Sequence, residues 1–114
     1  NGIFDFLHYH SQIHEALGIA RGRARVRFGG DKGRTVEVEA GDVAILPAGT
    51  GHQLIEGSND LLVVGAYPPE GRYDLCRGRP EEHARAIRSI PEVPVPSADP
   101  VFGKDGGLAR FWRP

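Results

Sequence analysis

Residues 8–22 read HYHSQIHEALGIARG, and residues 41–52 read GDVAILPAGTGH. The first stretch holds three of the chain's five histidines and a glutamate. His8 and His10 are two apart, so on an extended strand their imidazoles point to one face, close enough to share an ion. Neutral imidazole is a common ligand for zinc, iron, nickel and copper, and a carboxylate completes a mixed site. Two candidates for a further ligand follow. On an uninterrupted strand His14 shares the face of His8 and His10. Glu15 points the other way unless the chain bends between Ser11 and His14, and Ser11 and Gln12 are compatible with a turn. In the second stretch Pro47 and Gly49 predict a tight turn after an apolar strand, with His52 opening the next strand.

Around these two stretches the chain is a series of short apolar segments divided by glycine, which is the pattern of strands and turns. Strands are expected at Ile3–His10, Glu15–Ile19, Arg23–Phe28, Thr35–Glu39, Gly41–Leu46, His52–Glu56 and Leu61–Ala66. In Arg23–Phe28 the alternation is clean, with Ala24, Val26 and Phe28 on one face and Arg23, Arg25 and Arg27 on the other. Val36 and Val38 are expected to point inward. After Tyr67 the composition changes. Pro80–Ile90 reads as a helix, with Pro80 in its first turn, Glu81 and Glu82 at its positive end and Arg85 and Arg88 towards the other. Ala84, Ile87 and Ile90 fall on one face of it. Residues 91–114 form an irregular tail whose large residues, Val101, Phe102, Leu108, Phe111 and Trp112, are expected to pack it onto the domain. Regularly spaced short strands with alternating faces indicate a β-sandwich or small barrel.

The two stretches together resemble the signature motifs of the cupin superfamily. The first motif takes Gly2, His8, His10, Glu15 and Gly22 at matching spacing, and the second takes Gly41, Pro47, Gly49 and His52. The last position of the second motif departs from the pattern, with Glu56 where the family has asparagine. GHQLI, LLVVGAYPPEGRYDLCRG and DPVFG further resemble the YjlB-like branch, a group largely without an assigned reaction. The resemblance implies an all-β fold, a double-stranded β-helix or jelly-roll barrel with a short C-terminal helix and irregular tail. It implies residues 1–67 as the barrel and residues 68–114 as an extension packed on it. It implies His8, His10, Glu15 and His52 as ligands of one divalent ion (iron, manganese, nickel or zinc), with His14 left over as a supporting or solvent-facing residue. A small-molecule ligand in the barrel is expected, shaped by Leu17, Ile19, Val26 and Leu54, and so is a homodimer joined through edge strands. The function it implies is a mononuclear metal-dependent enzyme of the dioxygenase, isomerase or decarboxylase kind, with a non-catalytic metal-bound sensor as the alternative. No separate catalytic acid or base is singled out.

Composition narrows the remaining choices. The chain has 114 residues, enough for one domain, and a net charge of -1, so no general pull on nucleic acid or an anionic membrane is expected. The single cysteine, Cys76, excludes an internal disulfide and fits a reducing, cytoplasmic setting. It is expected to be a structural thiol. The arginine row reads as a solvated sheet face, Glu56 as a rim residue, Tyr9 as packing opposite the ligands and His83 as a surface residue. The chain opens at Asn1 almost directly on the histidines, where a complete barrel has earlier strands, so a preceding segment or strands exchanged from another chain are expected to complete it.

Overall fold

The computed structural model describes residues 2–112; Asn1, Arg113 and Pro114 lie outside it. Six strands form, β1 (Glu15–Arg21), β2 (Arg23–Phe28), β3 (Arg34–Glu39), β4 (Val43–Leu46), β5 (His52–Gly57) and β6 (Leu62–Ala66). They make two three-stranded antiparallel sheets, in the orders β4-β1-β6 and β3-β2-β5. The chain changes sheet between β1 and β2 at Gly22. That residue has φ +82°, and a Cβ on it would sit 2.9 Å from the backbone of Leu61, so only glycine makes this corner.

The inner faces meet over Ile3, Leu17, Ile19, Ala24, Val26, Leu46 and Val63, with Phe28, Val38, Ala44, Leu54 and Leu61 packed around them. This is the two-layer arrangement of a jelly-roll, which keeps apolar side chains of both sheets out of water. The expected alternation in β2 is present, with Ala24 and Val26 buried and Arg23 and Arg25 exposed. β3 differs. Val38 touches the core, but Val36 is exposed, because nothing among the described residues covers that edge of the sheet.

Ile3–His10 is not the regular strand expected of it. The segment is extended yet makes only isolated bridges, His8 to His52 and Tyr9 to Cys76. Its neighbours hold it at scattered points, among them Leu54 N–H to the Phe4 carbonyl at 3.0 Å, so no continuous ladder runs along it. The bend needed after His10 is present at Ser11–Gln12.

Helix α1 (Pro80–Ser89) stands where expected, followed by a 3-10 turn at Ile90–Glu92. The Glu82 carboxylate accepts hydrogen bonds from the backbone N–H groups of Arg77 and Arg79, both at 2.9 Å, which closes the first turn. Its packing face is not the one expected. Ala86 is buried while Ala84 and Ile87 are exposed. The tail contains one further helical turn, α2 (Gly107–Phe111), not anticipated in a segment rich in glycine and proline. Leu108 is buried and Trp112 half-buried, but Val101, Phe102 and Phe111 lie exposed. Among the described residues no helix is long and apolar enough to cross a membrane.

Candidate metal centre

Three separated segments deliver the site. His8 and His10 come from the extended N-terminal segment, Glu15 opens β1 and His52 opens β5. His8 and His52 exchange two backbone hydrogen bonds, 3.1 and 2.9 Å long, which set their rings 4.1 Å apart. The turn before β5 docks on the same segment, since the Gly49 N–H donates to the His10 carbonyl at 2.7 Å. Gly49 has φ +91°, and an added Cβ would meet Ile90 Cδ1 at 2.6 Å. The PAGTGH turn therefore needs glycine there, for its backbone and for the room under the helical extension.

One ring nitrogen from each of His8, His10 and His52 lies within 4.8 Å of the others, and all three residues are buried. Each ring donates its Nδ1–H to a backbone carbonyl: His8 to Phe6 at 3.0 Å, His10 to Asp74 at 2.6 Å and His52 to Thr50 at 3.0 Å. A carbonyl only accepts, so in the neutral imidazole the proton is on Nδ1 and Nε2 carries a lone pair. Partners of this kind orient the imidazoles of metal sites and set their tautomer. Glu15 Oε1 lies 3.2 Å from His10 Nε2 and 3.1 Å from His52 Nε2. It is fully buried and, apart from these two ring nitrogens, has no polar partner among the described residues.

The charges of the site follow from this crowding. Burial pushes the His8 imidazole down to about 4, so it is neutral at ordinary pH. Burial alone raises the Glu15 carboxyl, but the imidazoles of His10 and His52 and the Tyr67 hydroxyl outweigh it and hold Glu15 well below the usual carboxylate range. Burial lowers His10, yet the adjoining Glu15 carboxylate and the Asp74 carbonyl turn it upward. An anionic oxygen at this depth is costly unless a positive charge stands beside it, supplied by a proton on His10 Nε2 or by a metal ion among the rings. The donor set is three imidazoles and a carboxylate, which suits a divalent transition metal, and an orphaned buried oxygen beside it is what such an ion satisfies.

His14 does not join this group. Its Nδ1 accepts the Ala48 N–H at 2.8 Å, its Nε2–H donates to the Pro94 carbonyl at 3.1 Å, and its ring stands edge-on to Trp112. It clamps the tail to the turn after β4. Glu56 also stays outside. A bulge in the β2–β5 ladder pairs Arg25 with Glu56 but Val26 with Leu54, so the alternation from His52 is reset. Glu56 ends exposed, 3.4 Å from Arg25. Cys76 is buried against Asp74, and burial pushes its thiol up, consistent with a structural role.

Three contributors went unnoticed in the sequence. Asp74 orients His10 through its carbonyl, and its carboxylate accepts the N–H and hydroxyl of Ser11. Tyr67 donates its hydroxyl to Glu15 Oε2 at 2.8 Å. Tyr73 lies with its ring 5.1 Å from that of His10. These residues follow β6, where composition announces only the end of the strands, and no local spacing marks them. A cavity of about 620 Å³ adjoins Glu15 and Tyr67, walled by Ile45, Pro94, Pro96 and Leu108. Leu17, Ile19 and Val26 instead line a smaller groove of about 290 Å³ that none of the four candidate ligands borders.

The family model for the cupin domain matches residues 4–64. The chain belongs to the cupin family. It is 39% identical over 110 residues to the uncharacterized protein YjlB of Bacillus subtilis (strain 168), an alignment covering 96% of this chain and 67% of that protein. No solved structure matches the chain. The matched span holds His8, His10, Glu15 and His52, so the whole candidate centre lies within the cupin domain.

Proposed function

We propose that this cupin binds one divalent transition metal through His8, His10, Glu15 and His52 and uses it to act on a small molecule. The observation that carries the reading is the buried Glu15 Oε1, whose polar neighbours among the described residues are the Nε2 atoms of His10 and His52 at 3.2 and 3.1 Å. Water cannot neutralise an anion at that depth, and a cation held among the lone pairs does. Bound there, a divalent ion supplies a Lewis acid or, if iron, a redox centre that takes up dioxygen.

The protein's own groups have definable tasks. Neutral His8, with its lone pair turned inward, offers a donor without first losing a proton. The carbonyls of Phe6, Asp74 and Thr50 keep the three rings from rotating away. Glu15 brings the negative charge that favours a divalent over a monovalent ion. Four protein donors leave positions free on a six-coordinate ion, which favours chemistry over a purely structural site. The cavity beside Glu15 and Tyr67 is of ligand size, and its wall is largely apolar.

Metal analysis of protein purified without added metal tests this directly. We expect close to one ion per chain, and His8→Ala or His52→Ala to lose it while remaining folded by circular dichroism. Oxygen-uptake assays with catechols, thiols and keto acids then address turnover. A chain that carries no ion and cannot be loaded, or that keeps its ion in both variants, sinks the metal reading. A loaded chain that binds a small ligand but turns over nothing leaves a metal-bound sensor. We further propose that the chain is a homodimer joined at its sheet edges, where Val36 and Val43 are exposed. Light scattering on an eluting column gives the mass that decides it.

A further inference from the structure

The two oxygens of Glu15 have different surroundings, and the sheet register is the reason. β1 and β6 pair with Ala16 opposite Ala66 and Leu17 opposite Gly65. The ladder ends at Ala16 and Ala66, and extending its register by one position past the end of β6 puts Tyr67 beside Glu15, on the same face. Gly65, two residues before Tyr67, presents no side chain there. A Cβ on it would stand 3.5 Å from Glu15 Oε2, so the carboxylate lies over the space that glycine leaves. Tyr67 then reaches the same oxygen with its hydroxyl at 2.8 Å. Oε2 is occupied by Tyr67, while the polar neighbours of Oε1 among the described residues are His10 and His52 Nε2.

We infer that Tyr67 is a positioning residue of the metal centre: by holding Glu15 Oε2 it limits the carboxylate to one oxygen, Oε1, towards the imidazoles. The inference rests on the metal reading above and adds a determinant of how many positions that centre leaves open. A carboxylate not held in this way can swing to present both oxygens, and each oxygen added removes a place for substrate. The Tyr67 ring packs edge-on to His10, with centroids 6.0 Å apart, and to Tyr73, 5.7 Å apart, so the hydroxyl is held by packing as well as by its hydrogen bond.

The test loads metal-free protein with Co(II), whose visible absorption follows coordination number and geometry. It compares the wild type with Tyr67→Phe and with Tyr73→Phe, a neighbour that makes no hydrogen bond to Glu15 among those seen. Tyr67→Phe removes one oxygen from a partly exposed ring, so folding is expected to survive. We expect one Co(II) per chain in all three proteins. In Tyr67→Phe alone we expect a changed visible spectrum and an affinity about 10-fold to 100-fold weaker, the usual effect of removing a partner of a ligating group. Thermal unfolding of the metal-free proteins separates this from a loss of packing, which would lower the midpoint before any metal is added. Wild-type spectrum and affinity in Tyr67→Phe overturn the positioning role and leave the metal centre standing. Failure of the wild type to take up Co(II) removes both together.

Discussion

His14 and His10 are four residues apart in one stretch and end in opposite roles. His10 faces the centre with Nε2 3.2 Å from Glu15 Oε1, whereas His14 spends both ring nitrogens on backbone groups, Ala48 N–H and Pro94 C=O. The bend at Ser11–Gln12 separates them, because it turns Glu15 inward and takes His14 out of phase with the ligands. His14→Ala strands the buried Ala48 N–H, which costs about 1–3 kcal/mol, and leaves metal content unchanged. Chemical denaturation together with metal analysis checks both halves, and loss of the ion would mean that His14 belongs to the centre. Burial drives the His14 imidazole down, so it stays neutral as an acceptor for Ala48. The two-residue spacing of His8 and His10 was legible because period-two geometry is local. The orphaned Oε1 of Glu15 was not, because it depends on groups 37 and more residues away, such as His52.

The C-terminal extension is held by a few polar points. Within it, Asp99 Oδ1 accepts the N–H groups of Val101 and Phe102 at 2.7 and 3.1 Å, and Oδ2 accepts that of Leu108 at 3.1 Å. This ties the loop to the start of α2. Gly106, just before α2, packs directly on the Asp99 side chain, so Gly106→Ala is expected to push the two apart. The hydrogen bonds from Leu108 and Val101 hold the Asp99 carboxyl below its usual range. A group lowered in the folded state stabilises it fully above the unfolded value of about 4, and that contribution is lost as the pH falls through the folded value. Amide exchange at Val101, Phe102 and Leu108 is therefore expected to speed up on acidification below about pH 4, relative to the core strands. In Asp99→Asn that pH dependence should vanish and faster exchange persist at neutral pH. Unchanged exchange in the variant would mean the tail is held elsewhere. Helix α1 was readable from Pro80, Glu81 and Glu82 because start signals are local. Its buried side was not, since Ala86 faces the domain only by virtue of where the preceding loop delivers the helix.

The domain as a whole depends on the layer between its sheets. Leu17 is 3% exposed and Val26 1% exposed, and each sits in the middle of its sheet with strands on either side. Leu17→Ala is expected to destabilise by about 2–5 kcal/mol, read as a lower urea midpoint at unchanged slope. An effect within experimental error would mean that the layer is not packed as described. Leu17 also lies two residues from Glu15 on the same strand face, so loosening the layer is expected to weaken metal uptake in parallel. A stiff sheet is what keeps one carboxylate oxygen facing histidines from two other segments.

The strands from Glu15 onward, the turn at Gly49 and the helix start were readable from residue order, as was the nomination of His8, His10, Glu15 and His52 as candidates. Each rests on short-range rules: alternation along a strand, glycine where φ is positive, proline in a first helical turn, and the spacing of two motifs. Which face of α1 packs, where the phase of β5 resets, that β3 keeps an open edge, and that Tyr67 and Asp74 contact Glu15 and His10 came only with the folded chain. Those features are set by pairing register and by contacts between segments tens of residues apart. Asp74, for instance, meets His10 across 64 positions, and no local pattern encodes such a meeting.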